Sequence, residues 1–282
     1  MLKLLKERQD MNLLFQKNFQ RVFGTFPLTG NQLRDSIDTA IDVGYRAFDT
    51  AQMYGNERDT GLSLRDSRIP RSELCIISKI HPDNYSETDF IKSLELSLSD
   101  LQIDQLDVLF LHWPPTHIAF DATLELLEKA YDLNLVKSIG ISNFNSQMMD
   151  RVKSKIHTKI LANQVEFHPL IDQSVLLRKA SETEIPLMSY SAIARGKIFE
   201  FDILHRIAAD YGKTPAQIVL RWVLQKGVIA NSMSTNKKNI EANYNIMDFT
   251  LSSIDMARID ALNKNGFRVV TKDKAPWAPD WD

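Results

Sequence analysis

Short, nearly continuous apolar runs alternate along the whole chain with segments whose apolar residues recur at helical spacing, and this alternation restricts the fold more than any single motif. The runs are Ala47-Phe48, Cys75 to Ile77, Val108 to Leu111, Ser138 to Ile141, Leu161 to Val165, Leu187 to Tyr190, and Val228 to Ala230. A strand with one face in water alternates polar and apolar residues. These runs do not, so they suit strands of a parallel sheet covered on both faces. Between them, Leu33, Ile37, Ala40 and Ile41, then Phe90, Ile91, Leu94, Leu98 and Leu101, then Leu124, Leu127, Tyr131 and Leu135 each fall on one helical face. With the segment Arg21 to Phe26 placed before the first helix, about eight strand-helix units result, and no Pro/Gly/Ser-rich linker divides them. Eight such units in 282 residues predict an α/β fold closed into a single-domain (β/α)8 barrel of the TIM type. The competing open dinucleotide-binding sheet needs G-x-G-x-x-G, and none of the ten glycines falls in that spacing.

Composition narrows the class of partner. At 44% apolar and 25% charged residues the chain can bury a full core, which excludes wholesale disorder. A net charge of −2 argues against nucleic acid or an acidic membrane surface as the main partner. Cys75, the only cysteine, lies in an apolar run and reads as a small buried hydrophobe; no internal disulfide or cysteine-rich zinc site can form. No apolar run approaches the ~18 residues of a membrane span, and the start lacks a cleavage site, so a cytoplasmic protein is expected. Residues 1–20 carry Leu2, Leu5, Leu13, Leu14 and Phe19 among charges and read as an amphipathic extension, with the barrel occupying 21–282.

In such a barrel, catalytic groups project from the C-terminal ends of strands. The polar residues that close the apolar runs are Asp49, Lys79, His112, Ser142 with Asn143, Gln164 with Glu166, Tyr190, and Ser234. Taken singly, each has a structural explanation: a strand terminator, a satisfied core histidine, a helix N-cap. Asp49 to Lys79, His112 and Ser142, however, are separated by 30, 33 and 30 residues, the pitch of one strand-helix unit, which places them on one rim. The six histidines show neither H-x-x-x-H nor H-x-H spacing, so no metal site is expected, and neither a G-x-S-x-G elbow nor a G-x-x-x-x-G-K loop is present. Tyr54, five residues after Asp49, offers acid chemistry instead. A phenol is a weak acid at neutral pH, but a nearby ammonium favours its phenolate. Lys79 can supply that charge, Asp49 can hold Lys79, and His112 can hydrogen-bond a substrate carbonyl.

These residues in their contexts resemble the aldo-keto reductases. The match comprises Gly24-Thr-Phe26, Gly44-Tyr-Arg-Ala-Phe-Asp-Thr-Ala51 with Tyr54 and Asn56-Glu57, Ser78-Lys79, Leu111-His-Trp-Pro114, Ile139-Gly-Ile-Ser-Asn-Phe144, Asn163-Gln-Val-Glu-Phe-His-Pro169, and Ser189-Tyr190. Within the family, Ser234 to Asn243 and the ending Ala278-Pro-Asp-Trp-Asp282 look most like the bacterial 2,5-diketo-D-gluconate reductases, which also reduce methylglyoxal. The resemblance implies NADPH-dependent reduction of aldehydes or ketones to alcohols, with the pro-R hydride from the nicotinamide and a proton from Tyr54. It implies Lys79 and Asp49 as the tuning pair and His112 as the group that orients the carbonyl. Ser142, Asn143 and Gln164 would hold the nicotinamide carboxamide, with Tyr190 stacked on its ring. Thr25 and Asp49 would face the cofactor, and Ser234, Thr235 and Asn243 would lie along its adenosine end. Trp113 would line the substrate pocket, and the C-terminal segment 266–282, with Trp277 and Trp281, would wall the barrel mouth.

Departures from the family pattern cluster at the cofactor's charged end and at the pocket. Met233 and Asn239 stand where cations to the 2′-phosphate are usual, with Lys237 and Lys238 near enough to substitute. His81 and Ala192 replace a customary aromatic and a proline, and Val22 replaces a glycine. A small carbonyl compound is the expected partner and a monomer the expected state. The alternative from another class is a nicotinamide-binding sensor or interaction subunit on the same barrel.

Overall fold

The structure, a computed structural model, describes residues 14, 16, 19–116 and 119–282. Among the described residues, eight strands follow in chain order: β1 (Arg21–Gly24), β2 (Ala47–Asp49), β3 (Cys75–Ile80), β4 (Val108–Leu111), β5 (Ile139–Ser142), β6 (Ile160–Glu166), β7 (Leu187–Tyr190) and β8 (Ala230–Ser232). Each pairs in parallel with its sequence neighbour from β1 to β7, and β8 pairs with β1. The remaining seam is closed at Met188 and Ile229, where Ser189 N donates to Ile229 O at 2.8 Å and Ile229 N to Leu187 O at 3.0 Å. The (β/α)8 barrel expected from the alternation is therefore present, and seven of its eight strands overlap the apolar runs read as strands by two residues or more, while β8 starts at the last residue of its run.

Side chains alternate between the two faces of each strand. The inward series is Val22, Ala47, Cys75, Ile77, Val108, Phe110, Ala162, Met188 and Ile229, joined by Leu161 where β6 carries an extra residue against β5, and together they form one apolar cluster that fills the barrel. The outward series, with Phe23, Phe48, Ile76, Leu109 and Leu111, joins the larger core beneath the helices. Burial on both faces is why these runs lack polar alternation. Phe110 occupies its place because β5 carries Gly140 opposite: a Cβ on Gly140 would come within 2.5 Å of the Phe110 ring. The β5–β6 register slips at the same point, between Ile139 and Ile141.

Helices cover the outside with one apolar stripe each. In α1 (Gly30–Val43) the buried stripe is Leu33, Ser36, Ile37, Ala40 and Ile41. After α2 (Glu57–Asp66), α3 (Phe90–Leu101) buries Phe90, Leu94, Leu98 and Leu101, with Ile91 at the margin. In α4 (Phe120–Asp132) the buried face passes through Leu126 and Ala130, which leaves Tyr131, expected in the stripe, exposed at its edge. The remaining helices are α5 (Ser146–Lys155), α6 (Ser174–Thr183), α7 (Asp202–Tyr211), α8 (Pro215–Gln225), α9 (Lys237–Tyr244) and α10 (Ser253–Asp260). Among the described residues, no helix is long and apolar enough to cross a membrane.

Most of the amphipathic extension expected over 1–20 lies outside the described residues. Leu14, however, is fully buried against the barrel's inner cluster, with Phe19 packed beside it. These two residues thus cover the interior of the barrel.

Candidate active site

The inward series continues past the apolar residues, and that continuation builds the site. Ala47 is followed two residues on by Asp49, Ile77 by Lys79, and Phe110 by His112, so the parity that fills the barrel turns these three polar groups into its mouth. Lys79, wholly buried, donates to Asp49 Oδ1 at 2.7 Å and Oδ2 at 2.8 Å, to Thr50 O at 2.9 Å and to the Tyr54 hydroxyl at 3.3 Å. The three ammonium protons thus have acceptors on three residues, the arrangement that keeps a buried charge tolerable. The Tyr54 and His112 rings meet edge to face at 5.6 Å.

Asp49 holds more than Lys79. Its Oδ1 also accepts from Gln164 Nε2 and its Oδ2 from Asn231 Nδ2, both at 3.1 Å, so the carboxylate ties β2 to β3, β6 and β8. Asn231, the next inward residue after Ile229, thus closes that run in the mouth, where the sequence points to Ser234. Parity within β8 was the available signal.

Tyr54 is presented by a single 3₁₀ turn, Gln52–Tyr54, ended by Gly55 at φ 64°, a left-handed position that glycine adopts without strain. Gln52 pins the turn with a fully used amide: Nε2 donates to Ser93 O and Ser97 Oγ, both at 3.0 Å, and Oε1 accepts from His81 N at 2.8 Å and Asn84 Nδ2 at 3.0 Å. Asn56 accepts from Thr50 Oγ1 at 2.7 Å and donates to Thr25 O and Leu28 O. Buried Glu57 accepts from Ser78 and Ser97. Gln52 was not singled out by sequence, because each of its bonds reaches a residue at least 29 positions away.

Electrostatics give each group a definite state. Burial, and then the Asp49 carboxylate, push the Tyr54 phenol well above its usual 10, so it carries its proton. The expected net lowering by Lys79 is thus absent from this state, because desolvation of the phenolate dominates. Burial also lowers the Lys79 ammonium, against the pull of Asp49. His112 is held well below 6.5 by burial, then by the charge of Lys79, and is a neutral imidazole. Its Nδ1 is buried without a hydrogen-bond partner among the described residues.

Across the mouth, Ser142 Oγ donates to Gln164 O at 2.8 Å, and Asn143 Nδ2 donates to Ser142 Oγ at 3.1 Å and His112 O at 3.0 Å. The Tyr190 hydroxyl donates to Asn143 Oδ1 at 2.8 Å. The structure therefore brings Ser142, Asn143, Gln164 and Tyr190 together beside the Asp49 cluster. The side-chain protons of Ser142, Asn143 and Gln164 are all spent inside the protein, the last on Asp49 and Met188 Sδ, so the two amide oxygens are left as acceptors, which suits the NH₂ of a primary carboxamide. Thr25 is buried, with its N and Oγ1 both donating to Asp49 O.

The expected adenosine-end residues form a separate group at the start of α9. Asn236 caps the helix by accepting from Asn239 N; Ser234 accepts from Asn236 N; Thr235, Lys237, Lys238 and Asn239 are exposed, and Asn243 is buried. On the substrate side, Trp113 is nearly buried under the C-terminal segment, where Ala275, Ala278, Trp277, Trp281 and Met53 pack on it. Trp277 also meets the His81 ring at 5.2 Å. Phe26, which sequence reading gave no pocket role, is exposed 5.0 Å from the Tyr54 ring.

The family model for the Aldo/keto reductase family matches residues 22–264. The chain is 35% identical over 262 residues to methylglyoxal reductase DkgB of Escherichia coli O157:H7, covering 92% of this chain and 97% of that protein. It is 36% identical over 236 residues to glyoxal reductase of Bacillus subtilis (strain 168), covering 84% and 85%. Among solved structures it is similar to a protein assigned as a 2,5-diketo-D-gluconic acid reductase B, with TM-score 0.89, 35% identity and 94% and 95% coverage. A Bombyx mori aldo-keto reductase in complex with NADP aligns with TM-score 0.84 at 28% identity, covering 92% of this chain and 94% of that one. The same barrel, a match through most of its length and relatives of about one-third identity over most of theirs leave one assignment: the chain belongs to the aldo/keto reductase family.

Proposed function

We propose that this protein reduces small aldehydes and ketones, diketo sugar acids among them, to alcohols with NADPH, and that Tyr54 supplies the proton. The observation that carries the reading is the Tyr54 hydroxyl 3.3 Å from Lys79 Nζ, itself wholly buried on Asp49. When bound, NADPH supplies a hydride to the carbonyl carbon and leaves as NADP⁺. Tyr54 gives its proton to the carbonyl oxygen as that oxygen gains charge. Lys79 stabilises the phenolate so formed, and Asp49 holds Lys79 in place through both carboxylate oxygens. Neutral His112 orients the carbonyl by hydrogen bonding, and its low pKa removes it as a competing acid.

Ser142, Asn143 and Gln164 would hold the nicotinamide carboxamide, with Tyr190 against its ring. Asn143 spends both amide protons on His112 O and Ser142, so it would serve the carboxamide as an acceptor. Lys237, Lys238 and the first N–H groups of α9 would meet the 2′-phosphate, with Ser234, Thr235, Asn239 and Asn243 along the adenosine. Trp113, Trp277 and the segment 266–282 would wall the substrate cavity and exclude water beside Tyr54.

The test is consumption of NADPH over a panel of small aldehydes, ketoses and diketo acids. Turnover of several members is expected. Tight NADPH binding with no turnover on any of them would replace this reading with the sensor alternative.

A further inference from the structure

Glu166 closes β6 on the same series as Gln164, yet the proposed chemistry gives it no part. Its side chain is wholly buried and satisfied from three directions: His168 Nε2 lies 2.8 Å from Oε1, Val269 N donates to Oε1 at 2.6 Å, and Val270 N donates to Oε2 at 2.9 Å. His168 Nδ1 accepts from Leu170 N at 3.3 Å, which puts the ring proton on Nε2 and makes the imidazole a donor to Glu166. Burial pushes the Glu166 carboxyl up, but the His168 ring and the two amides outweigh it and hold the group ionised.

Val269 and Val270 lie near the start of the C-terminal segment, 266–282. Beyond them, Ala275, Trp277, Ala278 and Trp281 pack on Trp113 and Met53, and the Arg268 guanidinium stacks 4.1 Å over the Trp281 ring. The far end of the segment is held by exposed contacts, Asn145 Nδ2 to Asp280 O and the Ser146 amide to the Asp282 carboxylate. Exposed pairs of this kind contribute little, whereas charge-assisted bonds to a buried carboxylate are the strong ones. The base of the segment is therefore its anchor.

We propose that Glu166 is a positioning residue that docks the C-terminal segment over the barrel mouth, setting the aromatic wall from the strand that also carries Gln164. In its kinetic consequence the proposal rests on the reductase reading given above. In its structural consequence it does not.

The test is Glu166→Gln in the full-length chain. The amide keeps one acceptor oxygen and turns an NH₂ group toward donors. Hydrogen exchange at the Val269 and Val270 amides should become at least about tenfold faster, with β3 and β6 unchanged. If the chain turns over carbonyls, KM for larger substrates should rise with little change in kcat for the smallest aldehyde and none in NADPH affinity. Trp277→Ala should raise KM in the parent and add little in the Glu166→Gln background, because the ring has already left its place. Glu166→Asp, which keeps the charge and withdraws it by one methylene, gives an independent reading of the same exchange if the Gln variant folds poorly. Unchanged exchange at residues 269–270 in the folded variants would overturn the proposal, as would fully additive KM effects of the two substitutions.

Discussion

At the scale of single residues, the proposed proton chemistry rests on one phenol, Tyr54, held in its acid form. Tyr54→Phe keeps the ring against His112 and Phe26 but removes the proton, so the hydride step should slow by roughly 10²–10⁴, the range for a lost general acid. NADPH affinity should survive, because Ser142, Asn143 and Gln164, proposed to hold the nicotinamide carboxamide, come from β5, the residue after it and β6, not from the turn that carries Tyr54. Single-turnover kinetics would check this, and a variant keeping more than half its kcat would assign the acid elsewhere. The pH dependence follows from the same states. Tyr54, displaced well above 10, is protonated across the neutral range, and His112, displaced well below 6.5, is neutral across it. Reductive kcat/KM should therefore be flat through the neutral range and fall only in alkali, with that limb belonging to Tyr54 and Lys79 jointly. A descending limb near pH 7 would mean that another group donates the proton.

Elements turn these residues into a site by fixing their height on the barrel. Phe110 on β4 is the inward residue directly below His112, and it is accommodated by Gly140 on β5. Gly140→Ala drives a methyl group into the Phe110 ring, and overpacking of this kind costs about 1–3 kcal/mol. Urea denaturation should show that loss, and Phe110→Leu in the same chain should recover part of it. At α9 the element contributes charge instead. Lys237 and Lys238 are exposed in its first turn, where Asn239 supplies no cation. NADPH should bind more tightly than NADH, and Lys237→Ala with Lys238→Ala should narrow the gap, each contact to the phosphate being worth about 1.5–3 kcal/mol. Quenching of tryptophan fluorescence by the two cofactors measures it; equal affinities in the parent chain would show that neither lysine reaches the phosphate.

At the scale of the whole molecule, the last residues of the chain return to its middle. Phe267 N donates to Leu170 O, Glu166 holds the next turn of chain, and Trp277 and Trp281 close on Trp113. Removing residues 267–282 should raise KM for larger carbonyl substrates and change their ranking, while NADPH affinity moves little. Steady-state kinetics on the substrate panel would check it. An unchanged kcat/KM across the panel in folded, truncated protein would place selectivity in the loop after Trp113 instead.

The barrel and the centre of its site were legible in the chain itself, because both depend on short-range regularities. Strands buried on both faces leave unbroken apolar runs, and a repeating strand-helix unit returns Asp49, Lys79, His112 and Ser142 to one rim at intervals of 30, 33 and 30 residues. What stayed illegible depends on contacts between distant positions: Asn231 on Asp49 across 182 residues, Val269 on Glu166 across 103, and Leu14 against the barrel interior. Periodicity says which face of an element is apolar, not what that face will meet. The protonation states belong to the same group, since pairing with Lys79 alone would lower the Tyr54 pKa. Burial, which only the closed barrel creates, set it the other way.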